Sequence, residues 1–191
     1  MRLQSSHSLA DRGDDFYPTP RPAIDALMRV EQLPQIIWEP AAGNGAIVEP
    51  LRAAGHTVYA SDICEYGCGY DLFDYLDTPR PASVQGVVTN PPYRDAERFI
   101  RKAIAEVPFS AWLLRTNFLE SVGRLSLFRE HPPARVWVSS RRLPMMHRHG
   151  WEGPLASSNT CYAWFIWDVN ASGTSIGWFD WREAATTEAL S

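Results

Sequence analysis

Val87-Val88-Thr89-Asn90-Pro91-Pro92-Tyr93 is a run of apolar, β-branched residues that meets two prolines and an aromatic. Proline offers no ladder donor and pushes its predecessor out of the helical region, so the run predicts a buried strand that stops at Asn90. Carboxyl ends of strands are where open α/β sheets bind ligands. An amide, two stiff backbone carbonyls and an aromatic face are displayed together there. Such a set suits a flat ring bearing an amino group: the Asn90 side-chain oxygen and the Pro91 carbonyl can both accept from one NH2, while Tyr93 can stack on the ring. The same residues equally describe a proline-terminated strand whose asparagine caps the helical pattern over residues 95–107.

Upstream, Thr57-Val58-Tyr59-Ala60-Ser61-Asp62 predicts a strand ending in a carboxylate. An acid at that place can accept two hydrogen bonds from ribose hydroxyls, and it can also serve as a simple cap. Before it, Ile36-Ile37-Trp38-Glu39-Pro40-Ala41-Ala42-Gly43-Asn44-Gly45 predicts a strand turning tightly into a helix over 46–54. Small residues and glycines at that corner let backbone N–H groups approach a ligand. The dinucleotide fingerprint is excluded, since valine stands at position 48 where its third glycine would be. Further upstream, Phe16-Tyr17-Pro18-Thr19-Pro20 forms an extended lead into a helix over 23–30. Residues 1–15 are polar and charged with no repeating apolar face, and are expected to be loose.

Downstream, residues 95–107 repeat Phe99, Ile100, Ala103 and Val107 at helical spacing. Strands are predicted over 109–119, 135–139 and 161–168, with a short helix over 122–129. Residues 176–181 are expected to pair with 161–168 as a hairpin. Alternating strands and helices imply an α/β fold: a mainly parallel sheet with helices on both faces and a C-terminal antiparallel hairpin. Between them lies a loop over 141–160, rich in Arg, His, Pro, Gly and Ser, of a length that is uncommon unless functional.

A length of 191 residues suits a single domain over 16–185. With no run of apolar residues long enough for a membrane span and no signal-like amino terminus, a cytoplasmic protein is expected. Three cysteines cannot all pair within the chain, and Cys64 with Cys68 lacks the downstream pair a zinc site needs. His147 and His149 lack carboxylate or cysteine companions, so no metal is expected. A net charge of −4 argues against a chain coated with basic residues, leaving only a local patch for nucleic acid. Arg141, Arg142 and Arg148 supply one, with Trp151 or Met146 able to fill space beside a displaced base.

Asn90-Pro91-Pro92-Tyr93 resembles the catalytic motif of amino-group methyltransferases that use S-adenosylmethionine, and above all that of bacterial and phage DNA adenine-N6 methyltransferases. The resemblance implies a class I methyltransferase, Rossmann-like domain. Phe16-Tyr17-Pro18-Thr19-Pro20 is similar to the amino-terminal cofactor segment of those enzymes, which would set Tyr17 and Thr19 against the methionine end of S-adenosyl-L-methionine. Residues 39–45 are similar to their first cofactor loop, with Glu39 at the strand end and Pro40, Ala41, Gly43 and Gly45 about the amino-acid portion. Asp62 and Ile63 would follow on the ribose side. By the same likeness Asp71 would meet the adenine amino group, with Leu72 and Phe73 as walls. Asn90, Pro91, Pro92 and Tyr93 would be catalytic, Asn90 also touching the cofactor. Tyr93, Arg141, Arg142, Arg148 and Trp151 would bind substrate.

The implied reaction is methyl transfer to an exocyclic amino group, adenine N6 of DNA in the first place. RNA base methylation and an inactive cofactor-binding interaction module are the alternatives. One departure stands out: where many such enzymes carry a separate target-recognition domain, the stretch between Tyr93 and Arg141 holds only core-like elements. A partner protein could supply target recognition to a DNA- or RNA-directed enzyme of this size.

Overall fold

The computed structural model describes residues 18–145 and 160–183. Eight strands make one sheet: β1 (Ile36–Glu39), β2 (Thr57–Asp62), β3 (Asp71–Leu72), β4 (Gly86–Thr89), β5 (Phe109–Arg115), β6 (Arg135–Ser139), β7 (Tyr162–Asp168) and β8 (Ser175–Phe179). Their order is β3-β2-β1-β4-β5-β7-β6-β8. Strands β1 to β5 are mutually parallel. β7 runs against both of its neighbours, β5 and β6.

Alternation along the strands divides the core into two layers. Ile37, Val88, Ala111, Leu113, Trp164 and Ile166 pack on one face under α1 (Arg21–Val30) and α2 (Val48–Ala53). Trp38, Val87, Trp112, Leu114, Phe165 and Trp167 pack on the other, under α3 (Ala96–Glu106) and α4 (Leu125–Glu130). Buried on both faces, these strands read as continuous apolar runs.

Helices differ from expectation where proline or packing dictates. α2 begins at Val48 rather than position 46, which keeps Pro50 in the first turn. A helix starting two residues earlier would need the N–H that Pro50 lacks. β5 stops at Arg115, and a 3-10 turn over Thr116–Leu119 swings Phe118 inward against Phe128 and Phe165.

The carboxyl-terminal antiparallel element is present, but its pairing corrects the expected hairpin. β7 spends its two edges on β5 and β6, so β8 adds to β6 instead, in parallel. Gly177 permits this: a Cβ there would come within 2.2 Å of the Trp137 ring on β6. Among the described residues no helix is long and apolar enough to cross a membrane.

Candidate active site

Strand order reverses direction at β1, which has β2 on one side and β4 on the other. The carboxyl ends of β1 and β4 therefore diverge into a crevice, the usual ligand position of such sheets. A cavity of about 720 Å³ opens there. Its walls come from Thr19, ahead of α1, and from the segments that follow β1, β2, β3 and β4.

After β1 the chain cannot continue as a central strand through Pro40, and it turns over Ala41 and Ala42 into Gly43 and Gly45, whose φ angles are 51° and 82°. Those angles lie in the left-handed region that favours glycine. At Gly45 a Cβ would also come 2.3 Å from the Tyr70 hydroxyl. Asp62 ties this turn to β2, its Oδ2 accepting from Gly43 N at 2.8 Å and its Oδ1 from Cys64 N at 3.0 Å. A carboxylate offers about four lone-pair positions, so two remain beyond these bonds, and Asp62 lines the cavity.

Glu39 lies beneath the turn with no solvent exposure. Burial pushes its carboxyl up to about 8. Oε1 accepts from Ala41 N at 3.0 Å. Among the described residues Oε2 and Thr89 Oγ1 have no hydrogen-bond partner of good geometry, although the Thr89 hydroxyl stands close enough to Glu39 to offset part of the rise. Buried polar atoms left without a partner are uncommon in folded proteins and cost free energy.

Asn90, Pro91, Pro92 and Tyr93 all line the cavity. Asn90 does not cap the following helix: Asp95 holds the N-cap position of α3 and makes no side-chain cap bond. The capping account of the asparagine therefore fails. Tyr93 carries the Arg115 guanidinium 4.7 Å from its ring centre, with the Tyr162 ring 6.3 Å away. One face of the tyrosine is thus already covered by a cation.

Of the residues singled out by sequence, Thr19, Pro40, Ala41, Asp62 and Ile63 also line the cavity, while Glu39, Gly43 and Gly45 shape it from behind. Asp71 and Leu72 do not line it. They form the exposed edge strand β3, and Asp74, Tyr75 and Leu76 take the expected place. The signal was in the sequence, since Asp-Leu-Phe is followed at once by Asp-Tyr-Leu. The second copy turns inward because Tyr75 packs edge-on against Trp38 at 4.9 Å and, at a tilt, against Phe99 at 4.7 Å.

Arg94 and Arg98 also line the cavity, although the sequence pattern singles out neither of them. Arg141 pairs with Asp180, and the Arg142 carbonyl accepts from Trp181 Nε1. Both follow β6 and neither lines the cavity. Tyr17, Met146, Arg148 and Trp151 lie outside the described residues.

The fold is the Rossmann-like class I methyltransferase fold. No protein-family model matches the sequence, and no curated protein matches it. Among solved structures, the chain is similar to a protein from Listeria monocytogenes described as a class I S-adenosylmethionine-dependent methyltransferase, with a TM-score of 0.55 at 13% identity over 85% of this chain and 65% of that one. It is similar to a protein from Vibrio vulnificus described as the modification subunit of a type I restriction enzyme, with a TM-score of 0.53 at 15% identity over 89% of this chain and 48% of that one. A protein from Pyrococcus horikoshii described as an RNA methyltransferase gives a TM-score of 0.52 at 12% identity over 70% of this chain and 74% of that one. The chain thus spans about half the length of the Vibrio subunit.

Proposed function

We propose that this chain is an S-adenosylmethionine-dependent methyltransferase whose acceptor is an exocyclic amino group, adenine N6 of DNA. The observation that carries the reading is that Asn90-Pro91-Pro92-Tyr93 stands in one cavity with the Pro40–Ala42 turn, Asp62 and Asp74. The residues fit the cofactor. Asp62 keeps acceptor positions for a ribose diol, Asp74 can accept from an adenine amino group, and the tight turn over Gly43 and Gly45 exposes backbone to an amino-acid moiety. A volume of about 720 Å³ sits within the range of ligand sites, roughly 300–1,000 Å³.

When bound, S-adenosylmethionine supplies an electrophilic methyl group on a sulfonium centre. The chain's task is to make an aromatic amine nucleophilic and to aim it. The lone pair of such an amine is delocalised into its ring. Asn90 Oδ1 and the Pro91 carbonyl accept its two N–H bonds, which draws the nitrogen toward tetrahedral geometry and stabilises the positive charge that develops on it. Proline rigidity fixes one acceptor in place, and Tyr93 brings an aromatic ring to the cavity beside the base. The methylated nitrogen is acidic enough to lose its proton to water, so no strong base is required.

Labelled methyl transfer from the cofactor to DNA, RNA and protein substrates, run in parallel, tests the reading. Label in DNA at adenine N6 is the expected result. Label confined to RNA would move the substrate to an RNA base, and label in none would leave a cofactor-binding interaction module.

A further inference from the structure

We infer that Arg94 and Arg98 grip the phosphodiester backbone beside the nucleotide whose base reaches Asn90. This rests on the nucleic-acid reading above, and it assigns that reading a contact surface different from the 141–160 loop. Both arginines line the cavity that holds Asn90 and Pro91, and Arg94 directly follows Tyr93. Their side chains are 91% and 68% exposed. They share one carboxylate, Asp95, at 3.4 and 3.2 Å. Two guanidinium groups on one carboxylate leave this cluster with one uncompensated positive charge, and exposed pairs of this kind bind their cations weakly.

Other described arginines near the same sheet edge are committed elsewhere. Arg141 is held by Asp180, and Arg124 donates to the carbonyls of Phe118, Asn117 and Glu120. Arg101 is held by Glu97 and Glu130. The charge at the carboxyl edge is also divided. The β1–β3 half carries Asp62, Glu65, Asp71 and Asp74, while Arg94, Arg98 and Arg115 stand beside Tyr93 and β5 with Asp95 and Glu97. A polyanion is repelled from the first half and drawn to the second, and a planar guanidinium fork suits a phosphate oxygen pair. A base seated at Asn90 leaves its sugar and flanking phosphates at the mouth, where these two forks stand.

The test is fluorescence anisotropy of short labelled single-stranded DNA, single-stranded RNA and duplex DNA across a salt series, with the full chain. The Arg94→Ala/Arg98→Ala double variant should bind at least about tenfold more weakly than the parent, the loss expected of charge-assisted hydrogen bonds. Its slope of log affinity against log salt should flatten by about 0.9 per lost contact on duplex, or about 0.7 on a single strand. The Arg94→Lys/Arg98→Lys variant should keep the parent's salt slope, and Arg129→Ala on α4 should bind as the parent does. Cofactor titration should be the same for all of them. The strand type that shows the loss identifies the polynucleotide. If the parent binds oligonucleotides and the double alanine variant matches it in affinity and slope, the grip is overturned and the nucleic-acid reading stands. If the parent binds none of the three, that reading falls and the grip with it.

Discussion

Asp62 and Asn90 line one crevice and Glu39 lies buried behind it, and the three do different work. Asn90 leaves α3 uncapped, so its amide has no structural duty in that helix. Asn90→Ala should lower the methylation rate by two to three decades, the roughly 2.7–4 kcal/mol of a lost transition-state hydrogen bond, while calorimetric cofactor affinity stays near that of the parent. Asp62 is different because both of its oxygens brace backbone N–H groups. Asp62→Ala should weaken cofactor binding and also destabilise the fold, each charge-assisted bond contributing about 1.5–3 kcal/mol. A variant with a raised Kd and an unchanged melting temperature would show that the brace contributes nothing. Glu39 bears on pH. Its carboxyl titrates near 4.5 when unfolded and is raised to about 8 by burial when folded, so the native state binds the extra proton. Stability is then full below pH 4.5, falls as pH rises toward 8, and levels off beyond. Each pH unit crossed inside that window costs about 1.4 kcal/mol. Glu39→Gln keeps an oxygen for Ala41 N and cannot ionise. Urea unfolding at a series of pH values should show this variant gaining on the parent between pH 5 and 8, and a constant difference would mean that Glu39 is not buried as described.

At the scale of elements, an ion-pair network joins the end of α1 to the far half of the sheet. Glu31, with a side chain 5% exposed, accepts from Arg135 Nε at 2.6 Å, from Arg135 Nη2 at 3.0 Å and from Trp137 Nε1, while Arg135 also reaches Asp168 at 2.9 Å. Removing the shared acceptor strands two donors on β6. Glu31→Ala should therefore cost roughly 1.5–3 kcal/mol, because Arg135 retains Asp168 and is partly solvated. Chemical denaturation measures this, and Glu31→Gln should recover part of the loss. This network was invisible in the sequence, since its hydrogen-bonded pairs lie 33 to 106 positions apart. The same limit explains which elements could be read. β4, β5 and β7 are apolar runs bounded by proline or charge, and their local chemistry declares them. The partner of β8 depends on which edges remain after β7 has paired twice and on the room that Gly177 leaves for Trp137. No local pattern encodes that. In the site, Asn90–Tyr93 and the Pro40–Gly45 turn were legible because proline and glycine constrain backbone directly. Asp74 was displaced from expectation by three residues because two like tripeptides compete there, and the packing of Tyr75 against Trp38 and Phe99 decides between them.

Across the whole molecule, the sheet is built unevenly about its switch point. β5 and β7 share seven residue pairs and are buried on both faces. β1 and β4 share two, from Ile37 and Trp38 to Gly86 and Val87, and part immediately beyond them to make the cavity. β3 is a two-residue edge strand, held through Ser61 and Asp62. Local opening should follow this gradient, with the β5–β7 centre exchanging amide protons only on global unfolding and the segments after β1, β2 and β3 exchanging through smaller openings. A ligand that bridges those segments adds contacts to the least stable part of the sheet and leaves the centre's own contacts unchanged. Saturating S-adenosylmethionine, at about one hundred times its Kd, should stabilise the whole chain by about 2.7 kcal/mol. Hydrogen exchange followed by mass spectrometry should then show the strongest added protection at residues 40–45, 62–66 and 74–76, beyond the uniform slowing that global stabilisation imposes on β5 and β7. Equal slowing everywhere, with no excess at those three segments, would place the cofactor somewhere other than the crevice between β1 and β4.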